Sequence, residues 1–453
     1  MKNIFLFLII LVISIPIFSR GTPEIEKEVN ISNVSIDGYY ETTLQITNSY
    51  SLPLTLEFKN NKGYFSSPSQ NVFDIEVDYE TTNNNQISIT NKSLKFEIEG
   101  EIKENYIIGT FTQNYTSYEI KLIKTEKRLN IKTERKQTPT SLNYEIENLT
   151  IINKENNRQY FGTLTKPNNP ENKNEIIIFI SGSGIQDRNE EIFYHKPFFV
   201  ISDYLTNNGY FTLRCDDYGF NGEDISHHTT LDIIDDIKSQ INYIKNNYSF
   251  DKIILFGHSE GGIVAQAIAN EVDSIILMAA PSISGSEIYK SQVMNLLINK
   301  KADRSTLDFF EKKIDEVTSS LSNDNLSIKE KEKIVLPYLI LLGNTEDSAI
   351  DVFNILNSDW NVQFLKINPR EYIKDIRVPT LILQGSKDTQ VNFETNISEY
   401  KKYLNTKYKI NLYQDYNHLL QKCETGEIYE YNTIDITIEE NVLSDILLFL
   451  NKL

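Results

Sequence analysis

The chain has 453 residues, 40% hydrophobic and 24% charged, a balance that fits a soluble globular chain of more than one domain and excludes a polytopic membrane protein, a collagen-like rod or a wholly disordered chain. Its 45 Lys and Arg stand against 63 Asp and Glu, and the net charge of −18 makes nucleic acid and anionic membrane poor partners. Two cysteines exclude both a disulfide scaffold and a Cys-rich zinc module.

Met1-Lys2-Asn3 is a short basic start, and Ile4 to Phe18 is almost unbroken apolar. That run is shorter than the ~20 residues that span a bilayer as a helix. Pro16 lies near its end and Ser19 suits a cleavage site. Residues 1–19 therefore read as a secretory signal peptide, with an uncleaved anchor as the alternative. The mature chain is expected to work outside the cytoplasm, secreted or in the periplasm or cell envelope. In that oxidising setting Cys215 and Cys423 can be paired or free.

From about Val34 to Lys124 short runs alternate apolar and polar residues with period two, as in QISIT (86–90) and LKFEIEG (94–100). Turn signals recur every ~10 residues, which predicts a small antiparallel β-barrel or β-sandwich. The charged stretch 125–140, ending in Thr-Pro-Thr, reads as a linker, so a first domain is expected over 20–140. This β-domain is expected to be a structural cover or spacer, with contact with the cell envelope as the alternative.

Residues 141–453 change character. A strand pair is predicted over 144–152 and 158–165. EIIIFI (175–180), YFTLRC (210–215), KIILFG (252–257), SIILMA (274–279), TLILQG (380–385) and KINLYQ (409–414) then alternate with helical stretches. Continuous β-branched runs suit strands buried on both faces, and the alternation predicts a mostly parallel sheet covered by helices on both sides. Residues 285–369 break the rhythm with helical text, and read as an inserted cap.

Gly257-His258-Ser259-Glu260-Gly261 is a G-x-S-x-G sequence between an apolar strand and a helix. That context turns a weak motif into a nucleophile elbow: small residues at −2 and +2 allow a tight turn that lifts the serine hydroxyl above the sheet. A plain glycine-bounded βα turn is the bland alternative. A serine hydroxyl needs a base. Of the five histidines, His195, His227, His228, His258 and His418, only His418 follows Ser259, and on this fold the order is serine, acid, histidine. His227 and His228 read as a solvated loop in preference to a metal pair, His258 as support inside the elbow, and His195 as a surface or packing residue at a helix start. Asp388 follows the strand TLILQG and is the expected acid. Asp415 is its rival on the histidine's own loop, and Asp375 precedes the strand at the wrong edge. Two amide donors must face the developing oxyanion. One is expected from Glu260, after the nucleophile. The other is expected from Ser183 in Ser181-Gly182-Ser183-Gly184, with Gly184 as the neighbouring alternative.

These segments, SGSGIQDR (181–188), LRCDDYGFNGED (213–224), GHSEGG (257–262), LQGSKDTQV (383–391) and NHLLQ (417–421), resemble in order the secreted bacterial α/β-hydrolases of carboxylesterase type, some of which carry a small β-domain first. The resemblance covers about 180–280 and 370–453. It implies an α/β-hydrolase fold with a helical cap, a Ser259–Asp388–His418 triad, no metal or organic cofactor, and a small-molecule acyl ester as substrate. Tyr218 stands where such chains usually have arginine, and Ile185 where proline is common. Acyl transfer, peptide cleavage, or an inert envelope-binding protein on the same fold are the alternatives.

Overall fold

The structure is a computed structural model that describes residues 36–47, 50–67, 72–82, 84–92, 94–113, 116–126, 135–169, 174–299, 301–342, 344 and 346–453. The expected signal peptide and part of the expected linker lie outside these residues. The chain divides into two compact units. One holds the described residues up to 126 with Leu339–Asp351, and the other holds those from 135 to Tyr338 with Val352–Leu453. Among the described residues no helix is long and apolar enough to cross a membrane.

The first unit contains eight strands: β1 (Gly38–Thr47), β2 (Tyr50–Lys59), β3 (Lys62–Ser67), β4 (Val72–Thr81), β5 (Gln86–Asn91), β6 (Phe96–Ile102), β7 (Tyr106–Gln113) and β8 (Thr116–Thr125). Each pairs with the next, and β1 returns to β8 through Tyr39↔Thr125 and Tyr40↔Lys124, closing an antiparallel barrel. The period-two pattern does what the pleat requires: Phe96 and Ile98 point inward while Glu97 and Glu99 face solvent. Phe65, Phe96 and Phe111 fill the interior, with ring centroids 4.4 Å (Phe65–Phe96) and 5.5 Å (Phe96–Phe111) apart. Closure leaves no unpaired strand edge.

The second unit is built on β9 (Glu145–Ile152), β10 (Gln159–Lys166), β11 (Glu175–Ile180), β12 (Phe211–Cys215), β13 (Lys252–His258), β14 (Ser274–Met278), β15 (Thr380–Gly385) and β16 (Tyr408–Tyr413). The sheet order is β16-β15-β14-β13-β11-β12-β10-β9. Strands β11 to β16 run parallel, and the β9–β10 hairpin joins antiparallel through β10 and β12. The helices are α1 (Pro197–Asn207), α2 (Thr230–Asn247), α3 (Glu260–Ala267), α4 (Gly285–Asn299), α5 (Arg304–Leu321), α6 (Ile328–Leu341), α7 (Glu346–Leu356), α8 (Asp359–Lys366), α9 (Arg370–Ile373), α10 (Phe393–Tyr403) and α11 (Glu440–Leu450). Ile176, Ile178 and Ile180 of β11 pack toward Ile237 and Ile241 of α2 and Val264 of α3. Ile177 and Phe179 pack on the other side with Phe198 of α1 and Ile446 of α11. Because both faces are covered, the strands read as unbroken apolar runs. Helices α4 to α8 lie between β14 and β15, where the cap was expected. This is an α/β-hydrolase sheet.

The turn from β13 into α3 is sterically tight. A Cβ on Gly257 would lie 2.3 Å from the Gly261 carbonyl oxygen, and one on Gly261 would lie 2.2 Å from the Ile180 carbonyl oxygen. The Gly261 oxygen is held in α3 and the Ile180 oxygen in β11, so neither can give way freely. Gly261→Ala is therefore expected to cost about 3 kcal/mol, seen as a clear drop in the thermal midpoint of the second unit. An unchanged midpoint would show that the turn has slack.

Candidate active site

Ser259 follows β13 with φ 51° and ψ −119°, a left-handed backbone that a residue with a side chain adopts only under constraint. Its amide donates to the Met278 carbonyl at 2.9 Å, which ties the turn to the end of β14. Helix α3 begins at the next residue, so its unpaired N-terminal amides and positive dipole end lie beside the serine. Ser259, Glu260 and Ser183 line one pocket, whose other walls come from Ile288 and Tyr289 of α4, Trp360 and Phe364 of α8, and Val391.

His418 and Asp388 are brought together: His418 Nδ1 lies 2.8 Å from Asp388 Oδ2, and both side chains are buried. The carboxyl is held by four donors. Oδ2 also accepts from Gln384 Nε2 at 2.9 Å, and Oδ1 accepts from the Gln390 and Val391 amides, each at 2.9 Å. That arrangement fixes the carboxyl as an acceptor and leaves the Nε2 edge of His418 for other chemistry. Asp415, the rival acid, pairs instead with Lys387 at 2.9 Å on the surface, and that ammonium holds its carboxyl below the usual range. Asp375 is exposed.

Ser183 lies in the loop after β11. The neighbouring Gly182 amide donates to Glu190 Oε1 at 2.7 Å, while Ser183 lines the pocket and Gly184 follows it in the same loop. Glu260 presents its amide at the start of α3 and also a buried carboxyl. Its Oε1 accepts from Thr230 Oγ1 at 2.5 Å and from Trp360 Nε1 at 3.0 Å. Burial pushes this carboxyl above its ordinary range, more than the hydroxyl and indole donors pull it back. Trp360, the chain's only tryptophan, stacks on Phe364 with centroids 5.4 Å apart. The cap thus reaches the residue beside Ser259. Sequence reasoning missed Trp360, Thr230 and Glu190, since none of them lies in a motif.

The other histidines serve elsewhere. His227 is exposed and meets Asp359 at 2.5 Å, while His228 meets Asp236 at 2.9 Å. Among the described residues no cluster of His, Cys, Asp or Glu could hold a metal. His195, expected as a surface or packing residue at a helix start, is fully buried just before α1. Its Nε2 lies 2.8 Å from the Tyr431 carbonyl and its Nδ1 lies 3.0 Å from Thr437 Oγ1. Tyr218, at the position where arginine was expected, lies under the Arg158 guanidinium at 5.1 Å from its ring centroid. Cys215 and Cys423 are both free thiols.

With this geometry in hand, comparison with known proteins gives a family match. The BD-FAE family model matches residues 163–403, a span that includes Ser183, Ser259, Glu260 and Asp388 and ends before His418. No curated protein matches the chain in sequence. Similar solved structures include the esterase Pf2001 of Pyrococcus furiosus, at 16% identity over 70% of this chain and 94% of that one, TM-score 0.40. Another is Est1E from Butyrivibrio proteoclasticus, at 15% identity over 67% of this chain and 99% of that one, TM-score 0.39. A third is the proline iminopeptidase of Mycobacterium smegmatis, at 10% identity over 68% of this chain and 98% of that one, TM-score 0.41.

His195 yields a pH test. Burial, with the nearby Arg135 charge, lowers its pKa from 6.5 to about 4. The folded state keeps this ring neutral while the unfolded chain takes up a proton, so the stability it supports is intact above pH 6.5 and is lost as pH falls toward 4. The thermal midpoint of wild type is expected to drop more steeply over that range than that of His195→Gln. Parallel slopes would show that His195 does not contribute.

Proposed function

The chain belongs to the BD-FAE family, and on that premise, joined to the site geometry, we propose that it is a serine hydrolase of carboxylic esters. Ser259 Oγ attacks the acyl carbonyl while His418 Nε2 takes its proton. Asp388, on Nδ1, sets the tautomer and offsets the charge of the imidazolium. The tetrahedral oxyanion lies between the Ser183 and Glu260 amides, aided by the dipole of α3. Collapse expels the alcohol, which receives the proton from His418, and leaves an acyl-serine. Water, giving its proton to the same ring, then releases the acid and restores the serine.

One observation carries this reading: a serine in a strained strand-to-helix turn shares its unit with a buried histidine whose Nδ1 is already committed to a carboxyl at 2.8 Å. The pocket walls support a small acyl group beside the serine, with Trp360, Phe364 and Ile288 offering apolar surface. The proposed setting is outside the cytoplasm, with the first 19 residues removed; a mature protein whose mass still includes them would overturn that part. The barrel is proposed as a structural spacer, with contact with the cell envelope as the alternative, and envelope pull-down by residues 21–126, which include all eight barrel strands, would decide between them.

The catalytic roles are tested with p-nitrophenyl acetate and butyrate beside the matching anilides. Wild type is expected to cleave the esters, and Ser259→Ala and Asp388→Asn are each expected to lower kcat by about 10⁴-fold. Turnover of the anilides alone would remove the esterase assignment. Ester turnover unchanged in Ser259→Ala would remove this serine from the mechanism.

A further inference from the structure

A second acid–imidazole pair lies beside the first. His258 Nδ1 is 2.8 Å from Glu190 Oε1, matching the separation of His418 and Asp388. The His258 and His418 rings are 4.8 Å apart, tilted by 48°. All four side chains are buried. The mechanism proposed above uses only one of these pairs.

What surrounds His258 is unlike what surrounds His195. His195 faces one carbonyl and one hydroxyl, and a hydroxyl can donate, so a neutral ring satisfies both contacts. His258 faces an acceptor at each nitrogen: the Glu190 carboxylate on Nδ1, and the His418 backbone carbonyl 3.2 Å from Nε2. A ring between two acceptors fills both bonds only when both nitrogens carry a proton. Burial alone would push this imidazole down, but Glu190, the His418 carbonyl and the Asp388 charge outweigh it and hold the ring above its ordinary value. The groups facing the ring are Glu190 from the oxyanion loop, His418 from the base loop and, beyond it, Asp388 from the loop after β15.

The contacts form a chain across three segments. The Gly182 amide donates to Glu190 Oε1 at 2.7 Å, His258 Nδ1 donates to the same oxygen, and His258 Nε2 donates to the His418 carbonyl. The groups are in close contact: a Cβ on Gly182 would lie 3.3 Å from Ser259 Cβ, 3.4 Å from Glu190 Oε1 and 3.5 Å from His258 Nδ1. Glu190 itself takes a left-handed backbone, φ 54°, which returns its side chain toward Gly182.

We propose that Glu190 and His258 are positioning residues for the hydrolytic site: a doubly protonated His258, anchored on Glu190, ties the oxyanion loop to the backbone of the base on either side of Ser259. This rests on the serine-hydrolase reading given above. Its consequence is an alkaline limit to activity. When pH rises past the point at which His258 gives up its second proton, one of its two bonds is lost and the loops lose their register. Glu190 supplies the charge that retains that proton, so removing the charge brings the limit to lower pH.

The test is the pH profile of kcat and of KM for p-nitrophenyl acetate in wild type, Glu190→Gln and His258→Asn. Glu190→Gln is expected to lower kcat by up to about 100-fold with KM altered far less, and to move the alkaline fall at least about one pH unit toward acid. His258→Asn, which has no proton to lose, is expected to be slow with no such fall. A wild-type alkaline limb unchanged in Glu190→Gln would overturn the proposal, as would full activity in either variant. If the variants do not fold, nitrogen NMR of wild type labelled in its five histidines decides: the buried His258 ring, told from exposed His227 by slow proton exchange with solvent, must keep both N–H protons to higher pH than a free imidazole does. A buried ring that gives up its second proton no later than a free imidazole would overturn it. That measurement needs no turnover, so a failure to hydrolyse esters would sink the hydrolase reading without deciding this one.

Discussion

The turn between β13 and α3 is the constraint on which the catalytic unit depends. It forces Ser259 into a left-handed backbone and brings α3 so close to β11 that Gly261 lies against the carbonyls of Ile180 and Ser181. Ile180 ends β11, and Ser181 opens the loop that carries Gly182 and Ser183. The turn also donates a hydrogen bond, from the Ser259 amide to the Met278 carbonyl at the end of β14. The ends of three neighbouring strands are thereby locked around one serine. Strain of this kind persists only where the surroundings over-determine it, and here the surroundings are the buried centre of a sheet covered on both faces.

Asp388 and His418 are held by a different means. Their loops follow β15 and β16, at one end of the sheet order, and no tight turn joins them to the elbow. Hydrogen bonds do that work. Asp388 is fixed by the amides of its own loop and by Gln384, and Asn417 Oδ1 accepts from the amides of Leu419 and Gln421 to shape the loop that carries His418. Backbone geometry places Ser259, and polar networks place Asp388 and His418. Arg135 extends the second strategy: it donates to the carbonyls of Phe193 and Asn432, close to the segment that holds His195.

The parts legible in sequence were those with a local cause. Unbroken apolar runs announced strands covered on both sides, because burial on two faces removes the polar alternation. Gly257 and Gly261 announced the elbow because only glycine tolerates the approach. Chain order alone singled out His418, since only one histidine follows Ser259, and the structure joins it to Asp388. The parts not legible depend on contacts between residues far apart in the chain. Barrel and sandwich share the same period-two text, and only the β1–β8 pairing distinguishes them. Glu190 looks like any acidic loop residue until it meets His258 across 68 positions. Arg135 sits in charged text that reads as linker, yet it is buried among carbonyls. Trp360 carries no motif and gains meaning only where α8 meets Glu260.

The central claim is that Ser259 is the reacting nucleophile, and the most direct measurement is to map where a fluorophosphonate attaches. After reaction of the full chain and proteolysis, mass spectrometry is expected to find a single adduct, on the peptide containing Ser259, and to find none once the protein is unfolded before treatment. An adduct on another residue, or none on the folded protein, would contradict the account.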